Sequence, residues 1–283
     1  MVAGTAPFPE RGAASLHQDE AGAGKRRAVS LAMGAAILCL AACGGMGGAP
    51  TPGETAATSP AQACDGPVTR ASDKVAVADG TLLAFTAYLP PCYSRDLQAT
   101  YPVLYWTAGG EQIVSETAVR LMRAGEVPPF ILLTLDFAAA GGYGTDAQIV
   151  ENVVPYVDAH YRTRPDRRHR SIAGISHGAA IAARAAFRPP GLFGRTGVIS
   201  GGIAATEQDK FAGWISAKPQ AEWPLVLIDV GDKDPIIPLA RDLMEVLDRQ
   251  HVPYTFTLGS GSHDLAYWNR RMPDYLRWLV PSG

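Results

Sequence analysis

The sequence lacks the charge imbalance that is typical of proteins that bind nucleic acid or anionic surfaces. It has 25 lysine and arginine residues against 27 aspartate and glutamate residues, and a formal net charge of −2 over 283 residues. Hydrophobic residues make up 47% of the chain and charged residues 18%, which is a globular composition. The length suits one large domain or two small ones. We expect one, and we predict no nucleic-acid partner.

The sequence also lacks an apolar run long enough to cross a membrane. The run from Ala28 to Ala42 has about 15 residues, whereas a membrane-spanning helix needs about 20. Three basic residues, Lys25, Arg26 and Arg27, precede it. A basic segment, a short apolar core and small residues at its end are typical of an export signal.

The end of this signal, Leu-Ala-Ala-Cys at residues 40–43, resembles the lipobox of bacterial lipoproteins. The resemblance implies cleavage before Cys43 and attachment of lipid to this cysteine, whereas a plain secretion signal or a short anchor helix are the alternatives. We predict a signal region over 1–42 and a flexible tether over 43–63, which is rich in Gly, Pro, Ala and Thr. The folded domain, 64–283, is then held outside the cytoplasm, on the bacterial cell membrane or the outer membrane.

Cysteine is scarce, with four in the chain. Cys39 leaves with the signal and Cys43 takes the lipid, so Cys64 and Cys92 remain for the folded domain. Because export makes a disulfide permissible, we predict a Cys64–Cys92 bridge, with two free thiols as the alternative. No pair has the Cys-x-x-Cys spacing of a zinc site, and we predict no metal.

The folded part alternates strand-like and helix-like segments. Asp79-Gly80 separates two β-rich runs, which predicts a β-hairpin. Six apolar runs predict further strands: YPVLYW, PFILLTLDF, RSIAGIS, RTGVIS, PLVLIDVGD and YTFTLGSG. Continuous apolar runs indicate strands buried on both faces, and helical patterns lie between them at 145–161, 177–187 and 238–250. We predict an α/β sandwich with a mostly parallel central sheet, an N-terminal antiparallel hairpin and helices on both faces.

The pentapeptide Gly-Ile-Ser-His-Gly lies where an apolar strand ends and an alanine-rich segment begins. A nucleophile elbow requires a serine at such a strand–turn–helix junction, and its flanking positions must be small because the turn is tight. Gly174 and Gly178 meet this requirement, and a helix N-terminus favours developing negative charge. We predict that Ser176 is a nucleophile, with a packing turn at a sheet edge as the alternative.

A nucleophilic serine needs a general base, and the base needs an acid that fixes its tautomer. Of the six histidines, we prefer His263, which lies in a Gly/Ser loop after the last predicted strand. Asp234 follows a strand and precedes Pro235, so we prefer it as the acid, with Asp232 as the alternative. The chain order Ser176, Asp234, His263 is that of the α/β-hydrolases.

Stabilising a tetrahedral intermediate requires two N–H donors. We predict the backbone N–H of His177, directly after the nucleophile, and one from the glycine loop at Gly109 and Gly110. Trp268 and Trp106 are predicted to line an acyl pocket, against the alternative that they are core or surface aromatics.

Together these motifs resemble the putative-esterase family of α/β-hydrolases. The family includes feruloyl and acetylxylan esterases, S-formylglutathione hydrolases, enterochelin-type siderophore esterases and mycolyltransferases, and the resemblance covers about residues 73–280. It implies Ser176 as nucleophile, Asp234 as acid and His263 as base, and Trp268 matches a family tryptophan near the site. The chain departs from the family in Ala108, where many relatives have His, and in His177, where relatives often have Met.

The sequence therefore predicts an exported serine esterase that hydrolyses carboxylic esters through an acyl-enzyme. This chemistry requires no metal or organic cofactor. We expect a small-molecule or carbohydrate-linked ester as the substrate. A siderophore-ester hydrolase, an acyltransferase and a non-catalytic binding lipoprotein are the alternatives.

Overall fold

A mixed sheet of eight strands organises the protein, whose computed structural model describes residues 66–77, 80–136 and 146–280. The strands are β1 (Thr69–Ala76), β2 (Leu82–Leu89), β3 (Val103–Trp106), β4 (Ile131–Asp136), β5 (Arg170–Ile175), β6 (Arg195–Ile199), β7 (Leu225–Gly231) and β8 (Tyr254–Gly259). Their order in the sheet is β1-β2-β4-β3-β5-β6-β7-β8. Pairing is antiparallel for β1–β2 and β2–β4 and parallel from β4 to β8. The predicted parallel centre and antiparallel hairpin are confirmed.

Helices cover both faces of this sheet. They are α1 (Glu111–Arg123), α2 (Asp146–Gln148), α3 (Val154–His160), α4 (His177–Phe187), α5 (Gln208–Ser216), α6 (Ile237–Arg249) and α7 (Leu265–Leu279), with 3₁₀ turns at Arg167–His169, Ala205–Glu207 and Gln220–Glu222. Helices α1 and α7 share one apolar core, whereas the cores built from α3 to α6 lie on the other face.

Successive residues of a strand point to opposite faces, and both faces of the central strands are buried. In β3, Tyr105 packs into the core beside α3 and α4, whereas Trp106 packs into the core beside α1 and α7. Neither residue has exposed surface. The apolar runs in the sequence are continuous for this reason.

The predicted helix over 145–161 is interrupted. A π-helical turn, Ile149–Val153, lies between α2 and α3, and the N–H of Val154 donates to the carbonyl of Ile149, five residues back. Pro155 follows at the start of α3. Proline has no N–H to donate, and its ring clashes with the carbonyl four residues earlier. The wider turn accommodates this ring.

Several predicted features lie outside the described residues and stay predictions. They are the signal region 1–42, the lipidation site Cys43, the tether 43–63, the bridge residue Cys64 and the turn residue Asp79. Gly66 lies against the segment that carries Cys92, because a Cβ on Gly66 would be 2.3 Å from the carbonyl oxygen of Pro91. The Cys64–Cys92 bridge stays a prediction.

No helix in the described ranges combines the length and the apolar character that spanning a bilayer requires.

Helix α7 is tied to the sheet through one buried carboxylate, Asp229 of β7. Asp229 accepts hydrogen bonds from the hydroxyls of Tyr267 and Tyr275, at 2.5 and 2.7 Å, and from the guanidinium of Arg271 at 2.7 Å. Burial, together with this carboxylate, raises the pKa of both tyrosines, so both stay protonated donors. A carboxylate without exposed surface is stable only with such partners.

Replacing Asp229 by Asn should lower the free energy of unfolding by about 2–4 kcal/mol, because it breaks this buried cluster. Urea denaturation followed by circular dichroism measures the loss as a lower midpoint. Asp274→Asn is the matched control, since Asp274 forms exposed ion pairs on the same helix, and it should change stability by about 0.5 kcal/mol at most. Equal midpoints for the two variants would show that Asp229 does not anchor α7.

Candidate active site

Ser176 lies in a strained turn between β5 and α4. Its backbone has φ 58° and ψ −120°, a conformation that costs a residue with a side chain about 1–3 kcal/mol. Its N–H donates to the carbonyl of Ile199 in the neighbouring strand, at 3.0 Å. Such a turn carries the serine hydroxyl clear of the end of the sheet.

The two glycines of the pentapeptide are required by close packing. A Cβ on Gly174 would lie 2.2 Å from Oγ1 of Thr107, and a Cβ on Gly178 would lie 2.5 Å from the carbonyl oxygen of Ala108. The Thr107 hydroxyl also donates to the carbonyl of Gly178 at 2.7 Å. The loop after β3 and the first turn of α4 are therefore in direct contact.

His263 connects Ser176 with Asp234. Its Nε2 is 3.0 Å from Oγ of Ser176, and its Nδ1 is 3.0 and 3.1 Å from the two carboxylate oxygens of Asp234. The Asp234 side chain has no exposed surface and also accepts the N–H of Ile236 at 2.9 Å. A carboxylate can only accept, so Nδ1 carries the proton and Nε2 is left to accept from the serine hydroxyl.

Asp232, the alternative acid, has a different position. It is exposed, and its carboxylate accepts the N–H of Gly261 at 2.9 Å. The N–H of Lys233 donates to the carbonyl of Gly261 at 2.9 Å. Asp232 therefore braces the loop that carries His263, and Asp234 is the aspartate that contacts the imidazole.

The two tryptophans predicted to line a pocket support the site from within the protein. Trp106 has no exposed surface, and its indole N–H donates to the carbonyl of Gly109 at 2.6 Å. Trp268 is 9% exposed and meets the ring of His263 edge-on, with centroids 5.0 Å apart, while its N–H donates to Ser200 at 2.8 Å. The prediction for Trp106 is wrong because its strand position faces the α1–α7 core. Trp268 packs against the imidazole of His263.

The sequence predicts one oxyanion donor from the glycine loop, at Gly109 or Gly110. The N–H of Gly109 donates to the Glu111 carboxylate at 2.8 Å, so this group is already engaged. No acceptor for the N–H of Gly110 occurs within the described residues. His177 directly follows Ser176 and is the first residue of α4, and the N-terminus of a helix is a favourable place for a negatively charged group. Gly110 and His177 are thus the candidate pair.

A cavity of about 300 Å³ opens beside Ser176. Its lining is mostly small and apolar, with one ion pair, and comprises Ser176, His177, Ala180, Arg184, Gly202, Ala204, Glu207, Ile236 and Leu239. A larger groove of about 600 Å³, between Tyr88 and α1, includes none of these residues. The smaller cavity is the one that a reacting group on Ser176 can enter.

The side chains around Ser176 offer no metal site, and across the described ranges no three His, Cys, Asp or Glu residues are grouped so as to hold a metal ion.

Comparison with known proteins is consistent with this geometry. Residues 80–279 match the model of the family described as "Putative esterase". An endo-1,4-beta-xylanase/feruloyl esterase of Xylanibacter ruminicola is 28% identical over 153 residues, which is 46% of this chain and 21% of that protein. The chain thus spans about a fifth of the length of this relative.

Solved structures resemble most of the folded part. A ferulic acid esterase has a TM-score of 0.63 at 19% identity, over 75% of this chain and 98% of that chain. An S-formylglutathione hydrolase of Staphylococcus aureus has a TM-score of 0.60 at 18% identity, over 76% and 98%. At these identities the likeness establishes the fold, which is that of the α/β-hydrolases.

Gly178→Ala should lower the free energy of unfolding by about 1–3 kcal/mol, because the new methyl group overlaps the backbone of Ala108. Gly213→Ala in α5 is the matched control. A Cβ there meets no atom within 4 Å, so alanine should stabilise the helix by about 0.4–1 kcal/mol. Urea midpoints of both variants against the wild type check the two signs. Stabilisation by Gly178→Ala would contradict the close packing.

Proposed function

The chain belongs to the "Putative esterase" family, and we propose that it is a serine carboxylic-ester hydrolase with Ser176, His263 and Asp234 as its catalytic triad. The observation that carries this proposal is the position of His263, whose two ring nitrogens lie 3.0 Å from the serine hydroxyl and from the carboxylate. A base held between nucleophile and acid is what acyl transfer requires.

The first half of the reaction acylates Ser176. As its Oγ attacks the ester carbonyl carbon, the hydroxyl proton passes to Nε2 of His263, and the Asp234 carboxylate stabilises the resulting imidazolium. The backbone N–H groups of His177 and Gly110 donate to the oxyanion. The C–O bond to the alcohol then breaks, and His263 returns the proton to the leaving oxygen.

The second half releases the acid. Water attacks the acyl-enzyme carbonyl while Nε2 of His263 accepts its proton, and the same two N–H groups hold the second oxyanion. Oγ of Ser176 leaves and takes the proton back. An acyltransferase would use the same acyl-enzyme with an alcohol in place of water, so the acceptor distinguishes the two activities.

The substrate class we propose is a small or carbohydrate-linked carboxylic ester, including hydroxycinnamate esters such as ferulate. The xylanase/feruloyl esterase relative supports this proposal by its name. A siderophore-ester hydrolase is less well supported, because its catecholate ligands are anionic. The cationic side chain in the cavity lining, Arg184, is already paired with Glu207.

We also propose that the protein acts outside the cytoplasm and is held on the bacterial membrane by a lipid on Cys43. The support is the basic and apolar segment ending in Leu-Ala-Ala-Cys, followed by a stretch that is rich in Gly, Pro, Ala and Thr up to residue 63. The lipid would then position the esterase domain at a membrane surface.

Ser176→Ala should reduce hydrolysis of p-nitrophenyl acetate and methyl ferulate to background, because the nucleophile is lost, while the circular dichroism spectrum is unchanged. Ser216→Ala, a serine on α5 whose hydroxyl bonds to Gln250, is the control and should keep wild-type turnover. A fluorophosphonate probe should label the wild type and Ser216→Ala only. Turnover by Ser176→Ala near the wild-type rate would overturn the proposal.

A second pair of variants tests the acid. Asp234→Asn should lower kcat by about 10⁴-fold, because the amide no longer holds His263 in the reactive tautomer. Asp232→Asn should lower kcat by less than about tenfold, since it removes one brace of a loop. Equal losses in the two variants would contradict the assignment of Asp234.

Membrane attachment is tested by replacing each of two neighbouring cysteines in turn, Cys43 and Cys39. Cys43→Ser should abolish incorporation of a labelled fatty acid and release the protein from the membrane fraction, because the thiol that takes the lipid is gone. Cys39→Ser, four residues earlier in the apolar run, should leave both unchanged. Labelling of Cys43→Ser at the wild-type level would refute the lipid anchor.

A further inference from the structure

The cavity beside Ser176 extends along one face of α4, and its lining includes a charged residue of this helix. Residues His177, Ala180 and Arg184 lie three and four positions apart on α4 and so share one face of this helix. Arg184 is eight residues beyond Ser176, roughly 12 Å along the helix axis at 1.5 Å per residue. The other lining residues are mostly small or apolar.

The position of the cavity relative to His263 identifies which part of an ester can enter it. His263 must protonate the oxygen of the leaving alcohol, so the alcohol has to lie next to its Nε2. The cavity is lined by Ser176 and His177 and not by His263. The group that extends into it therefore lies on the other side of the reacting carbonyl, which is the acyl side.

The cavity lining includes a charge pair, Arg184 and Glu207, and the pair does not use all of the guanidinium N–H groups. Nε and Nη2 of Arg184 donate to the two carboxylate oxygens of Glu207 at 2.7 and 2.8 Å. A guanidinium has five N–H groups, and no acceptor for those on Nη1 occurs within the described residues. Both side chains keep about a fifth of their surface exposed, at 23% and 20%.

The pair is electrically neutral as a unit. Hydrogen bonds from Arg184 hold the pKa of Glu207 below its usual value, so the carboxylate stays charged at neutral pH. Nearby charges are Lys210, close to Glu207, and Asp146, which is itself paired with Arg188 at 2.6 Å. An anionic group brought to Arg184 would therefore meet Glu207 as well, and the two carboxylates would repel each other.

We propose that this cavity binds the acyl part of the ester, and that Arg184 donates a hydrogen bond to an uncharged polar group at the distal end of the acyl chain. The inference rests on the proposed esterase function and names the substrate class of that site. Glu207 orients the guanidinium and cancels its charge, so acyl groups ending in a hydroxyl or carbonyl are favoured over those ending in a methyl group or a carboxylate.

The test compares p-nitrophenyl esters of octanoate, ω-hydroxyoctanoate and ω-carboxyoctanoate. The wild type should hydrolyse the hydroxy ester with a kcat/KM about tenfold above that of octanoate, which corresponds to one added hydrogen bond, and the carboxy ester more slowly than either. Arg184→Met should reduce the hydroxy-to-octanoate ratio to one or below. Arg188→Met, which breaks the ion pair with Asp146 directly after the end of α4 and outside the cavity, should keep the wild-type ratio.

A gain of function makes the test independent of the stability of Arg184→Met. Glu207→Gln leaves the guanidinium without a compensating charge, so kcat/KM for the carboxy ester should rise at least tenfold relative to octanoate. An unchanged preference in Glu207→Gln would overturn the inference.

The two proposals fail in different ways. If the wild type does not hydrolyse p-nitrophenyl acetate, the esterase function itself is wrong. If acetate is hydrolysed but Arg184→Met and the wild type share one hydroxy-to-octanoate ratio, the acyl subsite is wrong. A second pair of esters, ω-hydroxyoctyl acetate and octyl acetate, carries the hydroxyl on the alcohol. If Arg184→Met changes the ratio of kcat/KM between these two esters, the acyl assignment is overturned.

Discussion

The strained turn at Ser176 lies where three segments of the chain approach each other with no side chains between them. Gly174, Gly178 and Gly201 each lie where a Cβ would be 2.7 Å or less from a neighbouring atom. The β5–β6 pair and the loop after β3 thus meet at one point. That contact positions the Ser176 hydroxyl, the first turn of α4 and the Gly109–Gly110 loop together, so one set of close contacts supports both the proposed nucleophile and the proposed oxyanion donors.

Three aspartates within six residues have three different roles, and their surroundings decide which role each has. Asp229 is enclosed by phenol and guanidinium donors and anchors α7. Asp232 is exposed and braces the loop at Gly261. Asp234 is buried but faces an imidazole. Because α7 also carries Trp268, the anchor at Asp229 helps to hold the indole that packs against the His263 ring.

Features that a short stretch of sequence encodes could be predicted. Features that depend on which face of the sheet a side chain takes, or on contacts between distant segments, could not. The strands follow from their apolar runs, the hairpin from Asp79-Gly80 and the elbow from the pattern around Gly174 and Gly178. An apolar run buried on both sides does not show which face a residue takes, so the buried position of Trp106 was not predictable. The bond between Gly109 and Glu111 depends on how α1 begins, and the Arg184–Glu207 pair joins charges 23 residues apart.

The residues that we propose to be catalytic are far apart along the chain. Ser176 and His263 are separated by 87 positions, and β6 and β7 lie between the strands that precede them in the sheet. Contacts of such long range form slowly and late in folding compared with helices and hairpins. A chain with native secondary structure but an undocked β8 and α7 would therefore be chemically inert, and the appearance of ester cleavage would time the completion of the sheet.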